Sequence, residues 1–407
     1  MVQIKSFKAL RPAQPYAAAV SALPYDVMNR AEAKQLADGN PRSFLRITRS
    51  EIELAEDINP YDPQVYQHAK ENLDLFLSNG TLLQDETPQI YIYRLIRNGR
   101  SQSGVVALSA VDDYQSGVIK IHEKTRTEKV QDRTQHILST SAQTGPVFLT
   151  FRDTSGVTTL IEEGMRSEPL YDFVASDGVQ HTIWRSQKTT EIIAAFSKIP
   201  NTYIADGHHR AASSANCREV LKGKNPHHRG DEEYNFFLSV LFPEDQLEIL
   251  PYNRIIKTSS LSAEEALNKI GEVLLVDPNA NPHPSSKRHI SMYLAGKWYG
   301  LSLPQDFEIP QDIVEALDVS ILYSLVLNPI FKIGDLRSDN NIDFIGGVRG
   351  TEELERLVNC GEAFCAFSMY PVTISDLLTV ADQGKTMAPK STWFEPKLRS
   401  GLLVHLI

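Results

Sequence analysis

The strongest constraint on the fold is a junction near the middle of the chain, where an apolar segment runs into a polar turn and then into a helical run. Residues 202–205 are typical of a short buried strand, and residues 211–217 favour a helix. The turn between them consists of Asp206, Gly207, His208, His209 and Arg210. Such a junction places backbone N–H groups and the positive end of the helix dipole at the turn, so we expect an anion-binding site there.

The same pentapeptide also fits an ordinary turn. Asp206 followed by Gly207 is a favourable turn dipeptide, and an aspartate can cap the helix that follows. On this interpretation one histidine is a solvated side chain and Arg210 is a surface ion-pair partner. Two imidazoles, a carboxylate and a guanidinium at the position where a strand–helix unit carries function favour a phosphate-handling site instead.

Charge and hydropathy exclude several classes of protein. The net charge of −10 argues against nonspecific nucleic-acid binding, which needs a basic surface, but a local cluster can still be positive and bind a small anion. We find neither an apolar run of the roughly 18–20 residues that a membrane helix needs nor the apolar stretch of a secretory signal. We therefore expect a cytoplasmic protein that binds small molecules, contacts neither nucleic acid nor membrane, and is compatible with a homo-oligomer.

The three cysteines, Cys217, Cys360 and Cys365, cannot form a disulfide framework, and their spacing fits no zinc motif. We expect all three to be reduced and partly buried. Cys217 lies two turns into the helix after the histidine pair, which leaves a reactive thiol as the alternative.

The length of 407 residues predicts two or three lobes with ample core. The pattern of elements predicts an α+β (mixed α/β) protein with an N-terminal α/β lobe over residues 1–87. A core over residues 88–257 carries the polar turn, and a C-terminal α/β lobe spans residues 258–407.

Local signals place several elements. Helices are predicted over residues 29–37 and from Pro63, capped by Asp62, up to Gly80. Residues 40–47 resemble a turn that leads into a strand. Two hairpins are predicted, one with its turn at residues 98–99 (Asn-Gly) and one at residues 295–296 (Ala-Gly).

A second polar segment, residues 120–129, contains His122, Glu123 and Lys124. Thr125, with Glu128 three residues later, is typical of a capping box, so a helix is predicted from there to near residue 145. His122 and Glu123 then lie in the loop before a helix N-terminus, where side chains point into clefts. Solvated loop charges are an equally compatible interpretation.

A third polar segment, residues 387–397, is bracketed by prolines and contains Lys390 and the aromatic pair Trp393 and Phe394, which we expect to be exposed. This composition suits a nucleotide or phosphate contact through Lys390. A proline-rich connector into the last strand is the alternative.

Several motifs, taken in order, resemble the family known as domain of unknown function 1015, over nearly the whole chain. The motifs that carry the resemblance are residues 24–27 (Pro-Tyr-Asp-Val), 40–41 (Asn-Pro), 122–125 (His-Glu-Lys-Thr), 145–148 (Gly-Pro-Val-Phe), 205–210 (Ala-Asp-Gly-His-His-Arg), 390–394 (Lys-Ser-Thr-Trp-Phe) and 396–397 (Pro-Lys).

The central part resembles the ParB/sulfiredoxin nucleotide-binding fold, in which a glutamate precedes a helix and a later strand runs into a phosphate-holding turn. Some proteins of that superfamily are free serine kinases. The resemblance matches Glu123 to the glutamate and residues 206–210 to the turn. More than 80 residues separate the two, a longer spacing than in compact ParB-like domains, so the resemblance requires an insertion around residues 152–188.

The resemblance implies a kinase that transfers phosphate from ATP or ADP to the hydroxyl of free serine or a similar acceptor. The backbone of residues 207–210 and the guanidinium of Arg210 would hold phosphates, with Lys390 as a further phosphate ligand. His208 and His209 would donate hydrogen bonds to the transferring group. Asp206 would bind Mg²⁺ or orient an imidazole, and Glu123 would accept the acceptor's proton.

The acceptor is expected to contact His122, Lys124 and Arg126. Its carboxylate needs a basic partner, and the candidates are Arg42, Arg46, Lys124, Arg126 and Lys390.

Two other functions remain open. A metal-dependent hydrolase would use Asp206, His208, His209 and His122 as ligands, although adjacent histidines on a helix diverge by about 100°. A ParB-like regulatory module would bind the nucleotide without turnover.

Overall fold

A computed structural model describes residues 1–407. The strands are β1 Ile4–Lys5, β2 Leu10–Pro12, β3 Leu82–Gln84, β4 Tyr91–Arg97, β5 Arg100–Ala110, β6 Ile119–Lys120, β7 Ala142–Gln143, β8 Val147–Phe151, β9 Tyr171–Val174, β10 Gln180–Arg185, β11 Thr202–Asp206, β12 Phe236–Pro243, β13 Ile249–Leu250, β14 Tyr252–Ile256, β15 Leu275–Asp277, β16 His289–Leu294, β17 Lys297–Ser302, β18 Ile342–Gly346, β19 Cys365–Met369, β20 Trp393–Phe394 and β21 His405–Leu406. The α-helices are α1 Ala17–Val20, α2 Arg30–Ala37, α3 Leu45–Thr48, α4 Pro63–Ser78, α5 Val111–Gln115, α6 Thr127–Thr140, α7 Val157–Gly164, α8 Thr189–Phe196, α9 His208–Lys224, α10 Ala263–Gly271, α11 Asp318–Leu322, α12 Gly350–Asn359 and α13 Ile374–Asp382.

These elements pack into two units. Unit 1 contains Met1–Ile121, Thr125–Leu247 and Pro396–Ile407, and unit 2 contains His122–Lys124 and Glu248–Glu395. Within unit 1, β1 pairs with β5, so backbone hydrogen bonds join the predicted N-terminal lobe to the predicted core. The division into three lobes stays a prediction about domains.

Unit 1 is built on a mixed nine-stranded sheet in the order β6-β11-β8-β12-β5-β4-β10-β9, with β1 beside β5. β8 and β12 are buried along their whole length and run parallel, as their continuous apolar sequences favour. β11 runs antiparallel to β8, with Asp206 opposite Phe148. The end of β11 therefore lies beside the start of β8. The predicted insertion contains α7, β9 and β10, and the two strands extend the sheet beyond β4.

Helices of unit 1 follow their sequence signals closely where a cap is present. Asn29 and Glu32 form a reciprocal capping box at α2, and the side chain of Asp62 accepts from the backbone at the start of α4. α4 packs on α6, and α6 packs on α9. This arrangement places α6 against the helix that follows the polar turn.

Two local predictions in unit 1 are wrong. Residues 45–48 form α3 instead of a strand, because Leu45 and Ile47 pack into the core of the N-terminal helices. α6 begins at Thr127 without the predicted capping box and ends at Thr140, before a left-handed Ser141 with φ of 50°. The backbone of Arg126 is still extended, with ψ of 127°, so this residue is the N-cap, and its N–H donates to a side chain outside the helix.

Unit 2 contains an antiparallel six-stranded sheet in the order β15-β17-β16-β19-β14-β18, together with the pair β13-β20. α12 packs on this sheet through Leu354 and Leu357, which contact Ile255 and Ala366. The predicted β16–β17 hairpin is confirmed, and both residues of its turn, 295 and 296, have positive φ.

The predicted α+β class is confirmed by these two sheets and the helices packed on them. None of the helices has the length and apolar character that crossing a membrane requires.

Candidate phosphate-binding site

The strand–turn–helix junction predicted from the sequence is present in unit 1. β11 ends at Asp206, Gly207 is the N-cap with φ of 96°, and α9 begins at His208. A Cβ on Gly207 would lie 3.4 Å from the guanidinium carbon of Arg210 and 3.4 Å from the Cα of Val147. These are ordinary van der Waals distances, so it is the left-handed backbone that favours glycine here.

The start of α9 has the geometry of an anion site. The helix is 17 residues long, and its N-cap glycine has no side chain with which to cap the first turn. The first intrahelical hydrogen bond runs from the N–H of Ala211 to the carbonyl of Gly207. The N–H groups of the first turn thus lie at the positive end of the helix dipole, where phosphate groups bind.

Asp206 forms an ion pair with Lys397, whose Nζ lies 2.8 Å from Oδ2 of the carboxylate. Burial favours the neutral acid, but the charges of Lys397, Arg210 and His208 outweigh it and hold the pKa of Asp206 well below its usual range. Lys397 was not among the predicted site residues, although it lies in one of the motifs that carry the family resemblance.

Arg210 directs its guanidinium into unit 1. Nη1 donates to the carbonyl of Pro146, and Nη2 lies 3.8 Å from the carboxylate of Asp26. Burial disfavours the charge, yet the carboxylates of Asp26 and Asp206 raise the pKa of Arg210 above its ordinary value. Nη2 is buried and has no hydrogen-bond partner. Asp26 is a second contact of the turn that sequence reasoning missed.

The loop that carries Asp26 is held firmly. Arg49 donates to the carbonyls of Tyr25 (2.8 Å) and Met28 (2.7 Å), and the guanidinium carbon of Arg133 lies 4.2 Å from the ring centroid of Tyr25. Burial is the main cause of a raised pKa of Tyr25. The loop is thus fixed from both sides against the helices of unit 1.

His209 accepts a hydrogen bond from the backbone N–H of Arg126 at Nε2, with a distance of 3.0 Å. A neutral His209 in this contact carries its ring proton on Nδ1. The structure thus brings together two predicted site residues, His209 and Arg126, but through the backbone of Arg126, whose side chain is exposed. His208 is buried.

In unit 2, the predicted segments 120–129 and 387–397 meet. The carbonyl of His122 accepts from the N–H of Met387 (2.8 Å), and its Nε2 lies 3.1 Å from the hydroxyl of Thr392. Glu123 and Lys124 belong to the same short segment. The position of Glu123 is therefore fixed by the contacts of its neighbour with the loop before β20.

Lys390, the predicted phosphate ligand, also lies in unit 2. Its Nζ is 5.5 Å from the ring centroid of Tyr252, and its carbonyl accepts from Nη2 of Arg254 at 3.4 Å. The expectation of an exposed aromatic pair is wrong, because Phe394 is buried in the β13–β20 pair and the Trp393 ring packs on Tyr252 with centroids 5.3 Å apart.

The thiol of Cys217 is buried, and burial raises its pKa to about 11. The alternative of a reactive thiol beside the histidine pair is therefore disfavoured. Cys365 is also buried, whereas Cys360 is exposed, so the expectation that all three cysteines are partly buried is wrong for Cys360.

Native alkylation should separate these thiols. We expect iodoacetamide to modify Cys360 in the folded protein and to leave Cys217 and Cys365 unmodified until guanidinium chloride is added. The reagent reacts only with a thiolate that is accessible to it. Peptide mass spectrometry under the two conditions measures this. Modification of Cys217 in the folded protein, before guanidinium chloride is added, would contradict its burial.

The turn by itself does not make a magnesium site. Magnesium prefers an octahedron of oxygen ligands. The turn offers one carboxylate, that of Asp206, and this carboxylate is paired with Lys397 beside a second cation, Arg210. The turn itself favours an anion.

Comparison with known protein families identifies one family that matches this chain. A family model described as a protein of unknown function (DUF1015) matches residues 4–320, which confirms the resemblance seen in the motifs. A search of curated proteins returned no significant match.

Several solved structures are similar at low identity. A free serine kinase mutant in complex with AMP shares 14% identity over 74% of this chain and 92% of that chain, with a TM-score of 0.37. SbnI with a C-terminal truncation, from Staphylococcus aureus, shares 13% identity over 74% and 87%, with a TM-score of 0.39. A conserved hypothetical protein from Pyrococcus furiosus shares 11% identity over 74% and 95%, with a TM-score of 0.35.

Proposed function

The chain belongs to the DUF1015 family, and we propose that it is a phosphotransferase that moves a phosphate group from a nucleotide to the hydroxyl of a small acceptor such as free serine. The observation that carries this proposal is the turn at residues 206–210. It combines a helix start whose N-cap is a glycine with Arg210 and Lys397 in a protein whose net charge is −10. Asp206 and Asp26 offset the charges of these two cations, and the dipole and N–H groups of a helix start suit a small phosphate compound.

Phosphoryl transfer needs in-line positioning and charge neutralisation more than covalent chemistry from the protein. In this proposal the backbone N–H groups at the start of α9 hold the nucleotide phosphates, and Arg210 adds its positive charge. Lys390 is proposed as a further phosphate ligand. The donor is ATP or ADP.

Glu123 is the proposed base. The acceptor oxygen forms a bond to phosphorus, the bond between that phosphorus and the leaving phosphate oxygen breaks, and the acceptor proton passes to the carboxylate of Glu123. His122, Lys124 and Arg126 are the residues proposed to contact the acceptor. Glu123 is assigned this role because of its position in the sequence, before α6 and beside His122.

The two histidines are proposed to donate hydrogen bonds to the transferring group. In His209 the contact with the backbone of Arg126 leaves Nδ1 as the protonated nitrogen. The magnesium that accompanies nucleotides is expected to be held mainly by phosphate oxygens and water, with at most one oxygen from Asp206.

A screen of nucleotides against free amino acids tests the proposal. The full-length protein is incubated with ATP or ADP, magnesium and each amino acid, and products are followed by phosphorus NMR and mass spectrometry. A new phosphomonoester of a hydroxy amino acid is the expected product. Tight nucleotide binding with no phosphorylated product would instead support a regulatory nucleotide-binding module.

We expect His209→Ala to lower the transfer rate roughly 10²–10³-fold, the usual loss when one hydrogen-bond donor to a developing charge is removed. His227→Ala is the matched control, because His227 is exposed in a loop after α9. Initial rates of product formation measure both variants. Equal rates for the two would remove His209 from the mechanism.

A further inference from the structure

Unit 1 contains a cavity of about 30 Å³ beside the turn. Its wall includes Arg210 of the pentapeptide and Arg133 of α6, with Tyr25 from the N-terminal loop and the hydroxyl-bearing residues Thr144, Ser214 and Ser400. Since one water position needs roughly 10–15 Å³, the cavity has room for two or three water-sized atoms.

The charges around this cavity favour an anion. Two arginines and no aspartate or glutamate line it. Arg133 is paired with Asp132, which binds its Nε (2.8 Å) and Nη2 (3.0 Å). The other ionisable side chains in the wall are neutral at pH 7, because burial lowers the pKa of His136 to about 4 and raises the pKa of Tyr25 above its ordinary value.

The arginines also have hydrogen-bond donors to spare. Nη2 of Arg210 is buried without a hydrogen-bond partner, and Asp26, the nearest carboxylate, is 3.8 Å away. A guanidinium has five N–H donors, and Arg133 uses three of them, two on Asp132 and one on the carbonyl of Thr48. Buried donors without partners are costly, so an acceptor group is expected in the cavity.

We infer that this cavity binds the carboxylate of the phosphoryl acceptor, between Arg133 and Arg210. Two carboxylate oxygens match the available volume, whereas a tetrahedral phosphate is larger. Arg210 is the last residue of the turn, so the cavity begins one side chain away from the proposed phosphate site. The inference rests on the proposed function and narrows the acceptor to a short hydroxy acid or hydroxy amino acid, in which about two carbons separate carboxylate and hydroxyl.

Neither Arg133 nor Arg210 was among the basic residues that the sequence offered for this role. Arg133 lies within α6, where an arginine is ordinarily a surface residue. It is the pairing of α6 with α9 that places the two guanidinium groups around one cavity.

The test compares L-serine with ethanolamine, which is serine without its carboxylate. Binding of each is measured by calorimetry on the full-length protein saturated with AMP, which has no phosphoanhydride bond and therefore cannot donate a phosphate group. We expect L-serine to bind at least tenfold more tightly than ethanolamine, the size of effect that charge-assisted hydrogen bonds produce. Equal binding of the two would overturn the inference, whether or not the protein transfers phosphate.

A variant that fills the cavity tests the location. In Gly145→Ala, the new methyl group would lie 3.1 Å from the hydroxyl of Ser400 and 3.8 Å from Cδ of Arg210. We expect it to weaken L-serine binding roughly tenfold and to leave ethanolamine binding unchanged. Gly223→Ala is the matched control, because a Cβ on Gly223 meets nothing within 4 Å.

Arg133→Lys provides a second variant that keeps a positive charge for Asp132 but loses the planar fork. We expect the same selective loss of L-serine affinity. If both variants bind L-serine like the wild type, the carboxylate site is not here. If acetate or chloride binds the cavity and L-serine does not compete, it is a site for a free small anion and the inference fails.

The binding and transfer experiments distinguish a failure of the carboxylate site from a failure of the proposed function. A protein that binds L-serine through this cavity but forms no phosphorylated product contradicts the transfer and leaves the carboxylate site intact. A protein that phosphorylates L-serine and ethanolamine equally well retains the proposed function and lacks the carboxylate site.

Discussion

Replacing Glu123 with glutamine should lower the rate of phosphoryl transfer by roughly 10²–10⁴-fold, the usual contribution of a general base. Glutamine has nearly the same shape but cannot accept the acceptor's proton. Since most of the phosphate ligands that we propose belong to the turn of unit 1, the affinity for nucleotide should change little. Single-turnover rates with L-serine and nucleotide binding by calorimetry measure the two quantities separately.

Glu128→Gln is the matched control, because Glu128 is an exposed carboxylate in the first turn of α6, a few residues further along the chain. It should retain the wild-type rate. A fully active Glu123→Gln protein would remove Glu123 from the chemistry while leaving the anion site untouched. Loss of nucleotide binding in that variant would assign Glu123 to ligand binding rather than to proton transfer.

Replacing Lys397 with methionine should lower the free energy of unfolding by about 3 kcal/mol, the range observed when one partner of a largely buried ion pair is removed. The side chain of Lys397 is 10% exposed and that of Asp206 is 26% exposed, so little water can compensate for the lost charge. Urea denaturation at pH 7 measures the difference from the wild type.

The matched control is Lys70→Met, which breaks an exposed pair between Lys70 and Asp74 on α4. Exposed pairs contribute roughly 0–1 kcal/mol, so this variant should be close to the wild type. A Lys397→Met protein that is as stable as Lys70→Met would show that the Asp206 carboxylate is well solvated without its partner.

Acid pH should reduce the contribution of Lys397 to the free energy of unfolding. The folded-state pKa of Asp206 is lowered, chiefly by Lys397 against an opposing effect of burial. Its contribution to stability is therefore fully present above the unfolded-state pKa of about 3.9 and is lost as pH falls towards the folded-state value. The difference between wild type and Lys397→Met should shrink below about pH 4 in urea titrations. A constant difference down to pH 2 would contradict the ion pair.

Short-range rules predicted much of the local structure. The hairpin at residues 98–99 and the junction at residues 206–210 were readable because turn chemistry, caps and apolar periodicity are properties of neighbouring residues. The same rules failed for α3, where burial of Leu45 and Ile47 in the core outweighed their strand propensity. They also failed at the start of α6, where the Arg126 N–H bonds to His209.

In the candidate site, too, some features follow from neighbouring residues and others only from the tertiary structure. The strand, the glycine and the helix that form the turn follow one another in the chain, so the sequence alone predicted where the helix N-terminus lies. The partners of those residues come from far away: Lys397 is 191 residues from Asp206, and Asp26 belongs to the N-terminal loop. Sheet order and helix packing choose such partners, and these depend on the burial of the whole core rather than on any local pattern.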